Sequence, residues 1–199
     1  MKQTLFRAVA ILAWALCLQS PLAGAQPALV VKALAEKKVT ELPAGPLYWR
    51  IENFPGITQA HAAEGSFGLV AESAGKVWLF TLGPPGGSSA GGTRVAEIGP
   101  IGRFDATQYL LRINEASGPP GSITPVHSHP GSEAFYVIAG ETSSITASRI
   151  MRIAAGQSEA GREPNTPMQV SSSGSTDLHS LVMFVVDAAK PFSSPAKLP

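Results

Sequence analysis

The stretch Gly121-Ser122-Ile123-Thr124-Pro125-Val126-His127-Ser128-His129-Pro130-Gly131-Ser132-Glu133 holds two of the four histidines in the chain. His127 and His129 are two apart, so on an extended backbone both imidazoles project to one face. Pro130-Gly131 is a turn signal that can reverse the chain and return the Glu133 carboxylate beside them. Two imidazoles and one carboxylate converging in this way make a ligand set for a divalent first-row metal with open positions. Phe135-Tyr136-Val137-Ile138 then continues as a strand to Gly140. Phe135 and Val137 share the Glu133 face and Tyr136 projects from the opposite one, so the wall beside the cluster is expected to be apolar. Such a wall suits a small, partly hydrophobic, oxygenated ligand.

From Gly121 to Gly140 the residues follow G-x5-H-x-H-x3-E-x6-G, which resembles the first motif of the cupin superfamily. Gly156-Gln157-Ser158 and Pro164-Asn165-Thr166-Pro167-Met168-Gln169-Val170 resemble the second. The resemblance covers residues 107–192. It implies an all-β fold, a small jelly-roll-like antiparallel barrel with a metal near its mouth. It also implies that His127, His129 and Glu133 are the ligands of one divalent transition metal ion: Fe, Mn, Zn, Ni or Cu. One position departs from the pattern. Where many cupins carry a fourth-ligand histidine this chain has Met168, whose thioether is a soft, weak donor for a hard ion. Either the site has three ligands and Met168 fills the barrel, or Gln169 or His179 takes the fourth place. His179 shares a register with Leu181, Met183 and Val185. It lines the pocket if that face is the barrel interior, and it is a surface residue if not.

Two imidazoles and one carboxylate leave cis positions for water, dioxygen or a bidentate substrate, an arrangement suited to an oxidoreductase such as a dioxygenase, or to Lewis-acid work in a lyase or isomerase. The same features suit a binding or sensor module without turnover. A structural cupin that pairs through its edge strands as a homodimer is the third reading. No side chain reads as catalytic, because no second carboxylate stands at a telling position. The partner expected in the first two cases is a small molecule.

The remaining sequence fits a turn-rich β protein. Twenty glycines and 17 prolines separate short stretches rich in Val, Ile, Phe and Tyr. Strands are expected over 47–51, 67–72, 76–81, 93–98, 109–113, 133–140, 149–153, 168–171 and 178–186, with a short helix over 57–64 on which His61 is solvated or capping. Residues 83–92, rich in glycine, lack the Gly-Lys-Ser/Thr ending of a phosphate loop and read as a mobile surface loop. Residues 26–106 are expected to add an arm and strands to the domain of 107–192, leaving 193–199 as a tail. Fifteen basic against 14 acidic residues give a net charge of +1, which supplies no field for nucleic acid or an anionic membrane.

Lys2 and Arg7 precede an apolar run over 8–18, and Ala23-Gly24-Ala25 follows with small residues. Residues 1–25 therefore read as a secretory signal peptide cut before Gln26, too short in its apolar part to span a bilayer. Leu16 before Cys17 argues against a lipoprotein. Processing removes the one cysteine, so the periplasmic or secreted product has neither disulfide nor thiolate chemistry and no membrane anchor. Intact-mass measurement on protein from the periplasm or medium should give a chain beginning near Gln26; an N-terminus at Met1 there would contradict export.

Overall fold

The computed structural model describes residues 26–198; the expected leader and Cys17 lie outside them. The chain runs β1 Val30–Val39, β2 Leu47–Phe54, α1 Ile57–Ala63, β3 Gly68–Ser73, β4 Lys76–Gly83, β5 Thr93–Ile101, β6 Tyr109–Gly118, β7 His127–Ser128, β8 Gly131–Ala139, β9 Glu141–Ile145, β10 Ile150–Ala154, β11 Ser158–Ala160, β12 Gln169–Ser172, β13 Leu178–Asp187 and β14 Ser194–Pro195. The fold is all-β with one short helix. No helix among the described residues is long and apolar enough to cross a membrane.

A five-stranded antiparallel sheet, in the order β1-β6-β13-β8-β11, forms the middle of the molecule. Its central strand β13 is Leu178-His179-Ser180-Leu181-Val182-Met183-Phe184-Val185-Val186-Asp187, apolar without interruption from Leu181 to Val186. A strand that alternates in polarity has one wet face, whereas an unbroken apolar run has both faces covered. Leu181, Met183 and Val185 pack into one core with Trp49, Trp78 and Phe80. Val182, Phe184 and Val186 pack into another with Phe135, Met151, Ile153 and Met168. The first core is closed by the four-stranded sheet β3-β4-β2-β5, and the second by the three-stranded sheet β10-β9-β12. β8 divides in the same way: Phe135 and Val137 enter the second core while Ala134 enters the first, with Tyr136 packed against it. Tyr136 does turn away from the barrel, but against the Trp78 indole, 5.9 Å between ring centroids, and not into solvent.

Close approach of β8 to β13 requires Gly131, because a Cβ there would lie 2.0 Å from the Val185 carbonyl oxygen. β3 and β4 meet through Ala74-Gly75, both with positive φ, a conformation suited to a two-residue hairpin. The glycine-rich loop at 83–92, expected to be mobile, is tied down. Its Ser89 donates through N–H (2.9 Å) and Oγ (2.7 Å) to the buried Glu52 carboxylate. Arg50 donates to Glu52 at 3.0 Å and to the Gly86 carbonyl at 3.2 Å. Burial works to raise the Glu52 pKa, but these bonds from Ser89 and Arg50 hold it below the usual carboxylate value. Within the segment expected as a tail, β14 pairs with β7, Ser194 opposite Ser128 and Pro195 opposite His127.

Because residues 47–82 and the central sheet fill one shared core, unfolding should be a single transition by fluorescence and by circular dichroism. Trp78→Ala should lower stability by about 3–5 kcal/mol without splitting it. Two separated transitions would show that the four-stranded sheet has a core of its own.

Candidate functional site

β7 lies between two neighbours. On one side His127 and Met168 exchange backbone hydrogen bonds of 2.9 and 2.8 Å, and on the other β14 pairs with it. The loop before Met168 reaches further along the same segment: Asn165 N–H donates to the His129 carbonyl at 2.7 Å, and Gly161 N–H to the Glu133 carbonyl at 2.8 Å. Position 161 must be glycine, because a Cβ would stand 2.4 Å from Glu133 Cγ. The backbone carrying both histidines and the glutamate is thus clamped on several sides, and all three side chains border one cavity of about 420 Å³. Its wall is largely apolar, with Leu29, Phe135, Val170, Val182 and Phe184 among its lining residues.

The two imidazoles stand edge to face, 4.9 Å between centroids at 82°. His127 Nδ1 lies 2.8 Å from the Pro125 carbonyl oxygen, and His129 Nδ1 2.7 Å from that of Phe192. A carbonyl only accepts, so each Nδ1 carries the proton, and in the neutral ring Nε2 holds the lone pair. His129 is buried between the Phe184 and Phe192 rings, at 4.8 and 4.7 Å. That burial lowers its pKa to about 4, against the Phe192 carbonyl, which raises it, and with the charges of His127 and Arg112, which also lower it.

Glu133, 2% exposed, has a buried Oε1 with no hydrogen-bond partner. Burial raises its pKa to about 8, opposed by the Arg162 charge and backbone N–H. Arg162, itself buried, donates to the Ser144 carbonyl at 3.0 Å. An orphaned buried carboxyl oxygen on a residue that borders the same cavity as two imidazoles with free Nε2 atoms fits a divalent cation in donor type and tautomer, since metal-binding histidines ordinarily donate their other N–H to a carbonyl or carboxylate. The placement is less complete. Among the described residues no three His, Cys, Asp or Glu side chains are gathered closely enough to hold a metal ion.

The three further positions singled out from the sequence do not join the site. Met168 is 1% exposed and packs in the second core with Met151 and Val170. The Gln169 amide donates to the Thr124 carbonyl at 3.1 Å. His179 does not line the cavity. It keeps the register of Leu181, Met183 and Val185, whose face looks onto the core under the four-stranded sheet and not onto the cavity. There His179 Nε2 stands 3.1 Å from Ser73 Oγ and 3.0 Å from Glu115 Oε2. Burial opposes, but bonds from Ser73 and His179 hold the Glu115 pKa below its usual value. His61, exposed on α1, pairs with Glu64 at 2.9 Å. The sequence reading missed Arg162, Asn114 and the Phe192 carbonyl. Asn114 had a signal, a polar residue two after Arg112 and so on the same face of β6. The Phe192 contact had none, because a backbone carbonyl carries no residue-type signature.

No family model and no curated protein matches the chain. Solved structures similar to it include a cupin-like protein from Thermotoga maritima, at 16% identity over 44% of this chain and 65% of that one, TM-score 0.39. Another is the DMSP lyase DddQ from Ruegeria pomeroyi, at 20% identity over 43% of each chain, TM-score 0.38. A third is the polyketide cyclase RemF from Streptomyces resistomycificus, at 18% identity over 45% of this chain and 62% of that one, TM-score 0.37. The match spans under two thirds of each of these three proteins.

The burial of Glu133 and His129 has opposite consequences for stability. Without metal, folded Glu133 keeps its proton to about pH 8 whereas an unfolded glutamate loses it near 4.5, so stability falls as pH rises through that window. Folded His129 takes a proton only near pH 4, against an ordinary 6.5, so stability rises with pH between those values. The two slopes oppose below 6.5, and above it Glu133 acts alone. Chelator-treated protein should lose about 2 kcal/mol between pH 6.5 and 8, read from denaturant midpoints. Glu133→Gln should remove that loss, and an unchanged slope in this variant would refute the assignment.

Proposed function

We propose that this chain is an exported cupin-type protein that holds one divalent first-row metal ion at His127 and His129 beside a cavity for a small, largely apolar organic molecule. Glu133 supplies the third ligand once a cation has displaced its proton. The observation that carries the reading is the pair of carbonyl-bound Nδ1 atoms, which leave Nε2 of both rings as the donor. A bound ion would supply Lewis-acid polarisation of an oxygen on the molecule beside it. The chain's own residues do the rest: Phe184 and Phe192 keep water from His129, Pro125 and Phe192 hold the ring tautomers through their carbonyls, and the apolar wall selects the organic part. An oxidoreductase, a lyase or an isomerase could each be built on this arrangement, and a dioxygenase among the first is tested by oxygen consumption.

A metal-free binding module is the second reading, favoured by one observation: no three His, Cys, Asp or Glu side chains are gathered among the described residues, and burial favours the protonated form of Glu133. Metal analysis separates the two. Protein loaded with excess Zn²⁺ or Mn²⁺ and then desalted should retain about one ion per chain, His127→Ala and His129→Ala should retain none, and Met168→Leu should retain it. A wild-type chain that retains no ion overturns the proposal in favour of the metal-free module.

A further inference from the structure

Arg112 and Asn114 lie on the face of β6 that carries Ala116 into the second core, opposite to the face of Leu111 and Ile113. Asn114 is 2% exposed and borders the cavity, paired across the sheet with Val182, another lining residue. Arg112 Nε donates to Asn114 Oδ1 at 2.7 Å. A guanidinium has no acceptor, so this bond decides which way round the amide sits: the oxygen faces Arg112 and the NH₂ is left over. Nδ2 makes no hydrogen bond to the described residues and is not among their fully enclosed unpartnered polar atoms, so it is open to the cavity that Asn114 lines. Arg112 is itself held, by Glu36 Oε1 at 2.7 Å from its Nη1 and by the Phe192 ring 4.1 Å beneath its guanidinium carbon. Thr124, another neutral polar residue lining the cavity, accepts from Val170 N–H at 3.0 Å.

We propose that Asn114 is a specificity-determining hydrogen-bond donor of the cavity, presenting Nδ2–H to an acceptor oxygen on the bound molecule, with Arg112 as its positioning residue. A molecule that fills the cavity takes water away from this N–H, and one that offers it no acceptor leaves it unpaired at a cost of about 1–3 kcal/mol, so a ligand with an oxygen at that point is preferred. The substrate or ligand class is thereby narrowed to a compact, mainly hydrocarbon molecule bearing a carbonyl or comparable oxygen. The inference rests on the small-molecule reading of the cavity and not on the metal.

The test compares acetophenone with α-methylstyrene, which replaces the carbonyl oxygen by a methylene group in the same shape, by NMR or calorimetric titration of the full chain. Asn114→Leu should weaken acetophenone by about five- to tenfold and leave α-methylstyrene as tight or tighter. Asn114→Asp keeps the shape and the Arg112 bond but removes the donor, and it should weaken acetophenone selectively as well, which covers the case that the leucine variant fails to fold. Arg112→Met should reduce the preference between the two probes while both still bind. Equal losses on both probes, or no loss on either, overturn the donor role alone. A wild-type chain that binds neither probe overturns the small-molecule reading with it, and metal retention by the same sample reports separately on the histidines.

Discussion

Burial of β13 on both faces governs the structure. Six consecutive apolar side chains, Leu181 to Val186, send three residues to each side, so the central sheet needs a cover on either face and the chain supplies two. The four-stranded sheet built from residues 47–101 covers one face. The other is covered by the three-stranded sheet and by the segment that carries the histidines. Everything polar at the candidate site therefore sits on a wall that is the back of a core. This is why the cavity beside it is apolar and why His129 and Glu133 have little water around them.

That setting decides their protonation. Burial disfavours the charged form of each, so it pushes the histidine pKa down and the glutamate pKa up: His129 to about 4 and Glu133 to about 8. Near neutrality both are uncharged, a state that suits an apolar cavity and one that a divalent cation would change by drawing the proton from the carboxyl. The hydrogen bonds from the two Nδ1–H groups do a separate task. They orient the rings and keep each Nε2 a lone-pair donor whatever occupies the cavity.

Much of this was legible in the sequence where residue type and spacing carry it. Two histidines at i and i+2 on a strand share a face whatever the tertiary context, and the structure brings their rings to 4.9 Å. The apolar alternation of Phe135 and Val137 with Glu133 rests on the same period. What was not legible depends on partners distant in sequence. His179 sits in register with Leu181, yet whether that face looked into the barrel depended on a second sheet that no local pattern announces. The glycines of residues 83–92 suggested motion because glycine permits it, but the Glu52 carboxylate that holds Ser89 is 37 residues away in sequence. The return of β14 to β7, and with it the Phe192 carbonyl on His129, leaves no mark in residue type.

The central claim is that His127 and His129 present unprotonated Nε2 atoms to the cavity. Long-range ¹⁵N–¹H correlation spectra of the imidazoles near pH 7.5, taken before and after one equivalent of Zn²⁺, test it most directly. The account predicts Nδ1–H tautomers for both rings, with Zn²⁺ shifting both Nε2 resonances while both Nδ1–H groups persist. Nε2–H tautomers in the metal-free protein, or Nε2 resonances that do not respond to the ion, would contradict it.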